Sequence, residues 1–414
     1  MRTNFRSEQL HDPHMRGAEQ ALRTCVHCGF CTATCPTYVL LGDERDSPRG
    51  RIMLMQQMLE SDAPPSAETV LHLDRCLSCL GCRTACPSGV DYAALIDTSR
   101  AYIENRYKRP LTDRLFRSFI LFVLTRPALF AALSRIARAF GRILPGKLGV
   151  MARKARSKPR NALDRSVPAV APPAPKILLL PGCVQRALAP EIDAAATRVL
   201  ARDNIGVERL EHAGCCGALA YHLGKADIGK NYARNIIRAF EAASVKGDIE
   251  AVLVTASGCS AFLKDYGKVF ADEPEWKGRA ETFAAKVKDF VELAKPSANG
   301  QIANAPLIAY HPPCSLQHGQ RIHGRGETLL ASAGFRLATI PDAHLCCGSA
   351  GSYSLLQPEI AERLRAKKLA DIRSTAAEAI ASDNIGCLTH LAGEIPAVHI
   401  AELLDWAAGG PNPL

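Results

Sequence analysis

Two short runs set the terms for this chain. CVHCGFCTATCP places Cys25, Cys28, Cys31 and Cys35 before Pro36, and CLSCLGCRTACP places Cys76, Cys79, Cys82 and Cys86 before Pro87. Both read C-x2-C-x2-C-x3-C-P. A cubane of iron and sulfide needs four thiolates at tetrahedral corners, and three cysteines at intervals of three wrap one face of it. The fourth stands farther off, serves the other cluster, and is followed by a proline that turns the chain away. Gly29 and Gly81 allow the tight backbone around the sulfurs. The spacing assigns Cys25, Cys28, Cys31 and Cys86 to one [4Fe-4S] cluster and Cys76, Cys79, Cys82 and Cys35 to a second. Zinc is the competing reading, but its sites show C-x2-C pairs divided by a longer gap, which two complete four-cysteine runs do not match.

Between the runs, RGRIMLMQQMLESD sets Ile52, Leu54, Met55, Met58 and Leu59 at helical spacing, a stripe that reads as core packing. Residues 1–109 are therefore expected to form a mostly helical, two-cluster ferredoxin-like domain. His27 lies inside the first cysteine loop, where it would tune hydrogen bonding or solvation of the metal centre.

The second half contains an internal repeat. One copy reads LLLPGC (Cys183), AGCCGALAYH (Cys215, Cys216) and TASGC (Cys259); the other reads AYHPPC (Cys314), HLCCGSAGSY (Cys346, Cys347) and SDNIGC (Cys387). The offset between copies is 131 residues at three of the four cysteine positions and 128 at the last. KILLLPGC, EAVLVTASGC, PLIAYHPPC and AEAIASDNIGC read as buried strands with cysteines at their carboxyl ends. APEIDAAATRVLARDN and PEIAERLRAKKLADI read as helices, so each copy is expected to be an α/β unit with a mainly parallel sheet. Ligands of such sheets gather beyond the strands' carboxyl ends, where the four cysteines of each copy converge. The expected organisation is α/β and multidomain: the helical cluster domain, a basic arm and linker over 110–175, and two duplicated Cys-Cys-Gly domains over 176–300 and 301–414.

Each adjacent cysteine pair has three readings once a disulfide is set aside. Neighbouring Cα atoms lie about 3.8 Å apart, below the usual disulfide range of about 4.4 to 6.8 Å, so a vicinal disulfide would be strained and leave the remote cysteines without a role. Two neighbouring thiolates can instead bind different irons of one cluster, with Gly217 or Gly348 letting the backbone approach. A thiol redox site and buried unreactive thiols are the alternatives. His212, His311 and His344 stand beside these motifs; they read as structural histidines, with hydrogen bonding to cluster sulfur or proton delivery to a quinone as the functional alternative. GSAGSY is a tight turn before a helix, explained by close packing or by anion binding.

Sixteen cysteines need a purpose, and the polar opening MRTNFRSEQLHDPHMRGAEQ lacks the apolar core of a secretory signal. The expected location is cytoplasmic, where clustered cysteines serve metal or redox chemistry rather than disulfides. The net charge of +10 is concentrated: residues 100–165 hold 17 Lys and Arg against Glu104, Asp113 and Asp164. A charge confined to one arm argues against a nucleic-acid partner. The arm's longest charge-free stretch, Ser118 to Thr125, is far short of the roughly 20 residues that span a bilayer. Arg135, Arg138 and Arg142 recur at helical spacing between Leu133, Ile136, Ala137 and Phe140. That pattern suits a solvated helix face, a peripheral contact with an anionic membrane on its inner face, or a docked subunit. The following ARKARSKPRNALDRSVPAVAPPAPK reads as a linker.

CVHCGFCTATCPTY, SPRGRI, HLDRC, CPSGVDY, HLCCGSAGSY and NIGCLTHL together resemble the family of bacterial glycolate oxidase (glycolate dehydrogenase) iron–sulfur subunits over essentially the whole chain. The two-part plan is similar to that of the iron–sulfur subunit of anaerobic glycerol-3-phosphate dehydrogenase and of lactate-oxidising proteins. The paired domains resemble the catalytic subunit of heterodisulfide reductase. The resemblance implies a complex with FAD-containing subunits, in which glycolate gives two electrons to flavin and clusters in this chain pass them singly toward a quinone or another acceptor. The sequence agrees in lacking a G-x-G-x-x-G after a strand and a P-loop. In the heterodisulfide reductase pattern the last cysteine belongs to a C-x2-C pair, whereas Ala256 precedes Cys259 and Asn384 precedes Cys387 by three residues. Each copy thus offers four thiols rather than five, which leaves an ordinary cluster, or no metal in one copy, as the readings.

Overall fold

Short helices with polar caps build the N-terminal third of the computed structural model, which describes residues 1–140 (backbone only from 137), 167–171, 176–296, 302 and 304–414. Helix α1 (Pro13–Thr24) starts at Asp12, whose carboxylate accepts from the His14 N–H. Ser47, Ser66 and Asp91 do the same for α3 (Pro48–Ser61), α4 (Ala67–Asp74) and α6 (Tyr92–Arg106). Each cap satisfies a backbone donor that has no partner within its helix. Pro36, the proline that closes the first cysteine run, opens α2 (Pro36–Leu41), while the second run forms the single turn α5 (Gly81–Thr84). Leu22, Ile52, Met55, Met58, Leu59, Leu73 and Leu95 pack into one core. The Met-rich stripe is therefore packing.

The basic arm begins as α7 (Leu111–Leu124) and α8 (Pro127–Phe140), bent by 104° between them. One face of α7 is held to the protein: Ile120, Leu121 and Val123 are buried, and Arg117 bonds Asp74 at 2.8 Å and Asp113 at 2.9 Å. The other face exposes Leu111, Leu115, Phe119 and Phe122. Among the described residues no single helix is long and apolar enough to cross a membrane. The side chains of Arg138 and Arg142 and nearly all of the expected linker lie outside the described residues.

Each repeat forms a four-stranded parallel sheet. The first has β1 (Lys176–Leu179), β2 (Gly206–Arg209), β3 (Ala251–Val254) and β4 (Val287–Asp289) in the order β2-β1-β3-β4. The second has β5 (Leu307–Tyr310), β6 (Arg336–Leu337), β7 (Ala379–Ser382) and β8 (Ala397–His399) in the order β6-β5-β7-β8. Helices Glu191–Arg202 and Pro358–Arg373 fall where the sequence places them. Helix Pro274–Lys286, between β3 and β4, has no counterpart between β7 and β8.

One apolar core runs through both repeats, joining Ile177, Leu179, Ala195 and Leu200 to Leu329, Leu330, Leu403 and Leu404. Across it Arg198 reaches buried Asp405 at 2.6 Å, with Arg202 on the other carboxylate oxygen at 2.7 Å. The repeats also meet at their strands' carboxyl ends, where the Ser257 N–H donates to the Asp383 carbonyl (3.1 Å) and His399 Nε2 lies 2.9 Å from the Thr255 carbonyl. Their cysteine-bearing edges therefore face each other.

Candidate metal centres

The loops after α1 and α4 carry the two N-terminal thiol sets. Cys86 sits beside Cys25 and Cys31, and these with Cys28 border a small hollow that Cys82 also touches. Cys35 instead lies beside Cys79 and Cys82, with Cys76 adjoining. The fourth cysteine of each run thus joins the other run's set. Cys28 is exposed and flanked by Val26 (67% exposed) and Phe30 (69%), while Cys35 and Cys76 are buried. One set looks outward and the other inward.

In each repeat the lone cysteine follows the first strand, the pair follows the second, and the last cysteine is the third residue of a helix begun after the third strand. That helix is Ser257–Lys264 in one copy and Ile385–Leu391 in the other. Its N-cap residue is Ala256 in the first copy and Asn384 in the second. All sixteen thiols are free. Cys183 Sγ lies 3.9 Å from Cys215 Sγ, and Cys216 Sγ 3.5 Å from Cys259 Sγ. In the second copy Cys346 touches Cys314, and Cys347 touches Cys387.

The glycine after each pair has a structural duty. Gly217 (φ +88°) and Gly348 (φ +93°) occupy the left-handed region, and a Cβ would meet the Gly229 carbonyl oxygen at 2.4 Å or the Ala361 carbonyl oxygen at 2.7 Å. The close approach is to the long helix downstream, Ala226–Ser244 in one copy and Pro358–Arg373 in the other.

A cavity of about 680 Å³ lies between the N-terminal domain and the two repeats, bordered by Cys76, Cys79 and all eight repeat cysteines. Its two sides differ. Cys79 and Leu77 pack in one cluster with Cys314, Cys346 and Tyr353, so the inward N-terminal set abuts the second copy. His318 ties the same junction, with Nδ1 2.8 Å from Thr84 Oγ1 and Nε2 3.1 Å from the His344 carbonyl. The first copy meets the N-terminal domain through His222 on Asp97 (3.0 Å) and Lys225 on Glu104 (2.6 Å).

Electrostatics tests whether these sets suit a metal. Burial pushes the Cys31 thiol up to about 11, with Cys25 and Cys86 adding to it, and raises Cys79 and Cys82 further. Contacts with Cys314 and Cys347, together with burial, raise Cys346, whereas hydrogen bonds from Cys346 and Cys387 hold Cys347 low. Crowded, buried thiols resist simultaneous ionisation unless a cation neutralises them, so this donor chemistry fits clusters of positively charged iron.

Three residues gain meaning only in three dimensions. Arg51, fully buried, donates to the His72 carbonyl (2.7 Å), Thr37 (3.0 Å) and Asp46 (3.2 Å), and its Nη1 lies 3.7 Å from Cys35 Sγ. SPRGRI contains it, but nothing local marks it as the buried cation beside a ligand set. His318 is a second. The third is His311, expected to be a structural histidine: its ring is fully buried and its side chain contacts Cys347, on which it acts as a hydrogen-bond partner. His212 and His344 are exposed. GSAGSY leads only into the four-residue helix Tyr353–Leu356, whose Tyr353 hydroxyl donates to the Arg75 carbonyl at 3.0 Å, so packing accounts for it.

Comparison with known proteins places these parts. The family model described as a cysteine-rich domain matches residues 177–264 and 308–392, and that of a 4Fe-4S dicluster domain matches 24–90. The glycolate oxidase iron–sulfur subunit of Escherichia coli (strain K12) is 42% identical over 98% of this chain and 99% of its own. The probable glycolate oxidase iron–sulfur subunit of Bacillus subtilis (strain 168) is 32% identical over 94% and 95%. Lactate utilization protein A of Geobacillus kaustophilus (strain HTA426) is 27% identical over 56% of this chain and 98% of its own. A crystal structure of a hypothetical protein from Helicobacter pylori shares the fold at a TM-score of 0.52, with 10% identity, 96% of this chain and 73% of that one.

Proposed function

Because the chain belongs to the family of glycolate oxidase iron–sulfur subunits, we propose that it is the electron-transferring partner of FAD-bearing subunits that oxidise glycolate to glyoxylate. The carrying observation is the layout of the thiols, from the exposed loop around Cys28 to Cys79 against Cys314 and Cys346. [4Fe-4S] clusters, held by Cys25, Cys28, Cys31 and Cys86 and by Cys76, Cys79, Cys82 and Cys35, with further iron–sulfur centres at the Cys-Cys-Gly sites, supply one-electron steps. Val26 and Phe30 form an apolar rim on which a flavin-bearing subunit docks. Leu77 and Tyr353 close the junction between the inward set and the second copy against water. Arg51 holds positive charge beside Cys35. Electrons leave toward a quinone or another acceptor. Glycolate is preferred over lactate as the complex's substrate because similarity to the glycolate proteins spans nearly the whole chain, against 56% for the lactate protein.

The test is turnover. Purified anaerobically with its metal, the chain alone should reduce no acceptor dye from glycolate, and adding flavin-bearing subunits should restore the reaction. Glycolate oxidation by this polypeptide alone would sink the reading.

The exposed stripe of α7 favours a second feature, peripheral attachment to the inner face of the cell membrane. Leu111, Leu115, Phe119 and Phe122 stand at helical spacing, within the strongly basic 100–165 segment, as an interfacial helix on anionic lipid requires. Co-flotation with phosphatidylglycerol vesicles should be salt-sensitive and lost in Leu115→Asp/Phe119→Asp. Unchanged flotation of that variant would reject the attachment.

A further inference from the structure

We propose that His311 is a nitrogen ligand of the metal centre in the second repeat, so that the two copies hold chemically different centres. This rests on the reading that the second copy binds an iron–sulfur centre. The ring nitrogens of His311 and the sulfurs of Cys347 and Cys387 offer a set of atoms all within 4.8 Å of one another, and all three residues are buried. The His311 backbone is fixed at the end of β5: its N–H donates to the Ala381 carbonyl at 2.8 Å, and its carbonyl accepts from Ser382 Oγ at 2.8 Å. The buried ring is therefore held in place against the Cys347 thiol, its side-chain partner there.

The first copy shows what a site without this group looks like. Aligning LLLPGC with AYHPPC puts Leu180 where His311 stands, and Leu180 is buried and apolar. The N-cap position one turn before the last cysteine differs in the same direction. Ala256 offers nothing there, whereas Asn384 Nδ2 donates to Cys387 Sγ at 3.6 Å. Two polar groups converge on the second thiol set where the first set has two apolar ones. With four cysteines also present the imidazole is a fifth donor, and where it takes an iron corner from one of them it carries less negative charge to iron and raises the centre's reduction potential. The second copy, which abuts the N-terminal set, is thus the more easily reduced of the two.

The experiment is pulsed EPR on the reduced, anaerobically purified full chain, with and without 15N-histidine labelling, alongside iron counts. Wild type should show a directly bonded nitrogen that changes with the label and is absent in His311→Leu and His311→Cys. His311→Cys should keep the wild-type iron content, which guards against a misfolded leucine variant. Iron above about eight per chain with no histidine nitrogen, or with one that persists in His311→Cys, overturns this assignment alone. Only about eight irons overturns it together with the reading on which it rests.

Discussion

The two Cys-Cys-Gly repeats have the same sheet order, the same four cysteines beyond the same strand ends, and a left-handed glycine pressed against a long helix downstream. They part company in what surrounds the thiols. Leu180 and Ala256 line the first site, His311 and Asn384 the second, and only the second packs against the inward N-terminal thiols. The ends of the fourth strands diverge as well: Asp289 closes β4 and His399 closes β8, each capping the next helix through a reciprocal bond with a glutamate. Duplication has kept the scaffold, which backbone geometry enforces, and has let the donor groups drift. Where two copies face one cavity, identical scaffolds with different donors give two sites of different chemistry.

That contrast can be broken in several places. The largest expected effect tests the shared scaffold. Arg198→Met strands Asp405 in the joint core with Arg202 alone, and should cost about 3 kcal/mol. The loss would appear as a single lowered unfolding transition for both repeats; separate transitions would show that the core does not unite them. Next comes the functional asymmetry. Cys346→Ser/Cys347→Ser should slow glycolate-driven acceptor reduction in the assembled complex by about 100-fold, roughly 2.7 kcal/mol, with the N-terminal EPR signals intact. Cys215→Ser/Cys216→Ser should slow it less, and equal losses would erase the distinction. Gly217→Ala and Gly348→Ala should each destabilise by roughly 2 kcal/mol, because both force a Cβ onto a carbonyl oxygen at positive φ. A tolerated substitution in one copy would mean the scaffolds have diverged too.

The smallest effect concerns the strand ends. Burial raises the Asp289 carboxyl to about 6, against about 3.9 in an unfolded chain. Since the folded pKa is the higher, the folded state binds the proton first as pH falls. The Asp289 contribution is therefore most favourable below about 4 and is lost as pH rises through 6. Between pH 7.5 and 5, wild type should gain roughly 1 kcal/mol relative to Asp289→Asn. Parallel pH profiles of the two proteins would refute it.

The duplicated cysteines were legible in the sequence because metal ligation fixes both residue type and spacing. The strands were legible because central parallel strands are apolar throughout, as Ala251–Val254 and Ala379–Ser382 are. The letters AYHPPC show His311, but whether its ring is satisfied depends on what β5, the Cys-Cys pair and the helix after β7 bring to it. Arg51 is hidden for the same reason, since its partner His72 comes from α4. Gly217 and Gly348 are visible as glycines, yet the backbone they accommodate belongs to helices downstream. Spacing reports what one segment does; burial and hydrogen-bond satisfaction report what several segments do together.

The most direct measurement is anaerobic EPR of the assembled complex after glycolate addition. If electrons pass through this chain, its N-terminal iron–sulfur signals should appear in the reduced state before the acceptor is consumed, and Cys28→Ser should lose one of them together with acceptor reduction. Full-rate acceptor reduction while those signals stay oxidised would contradict the account.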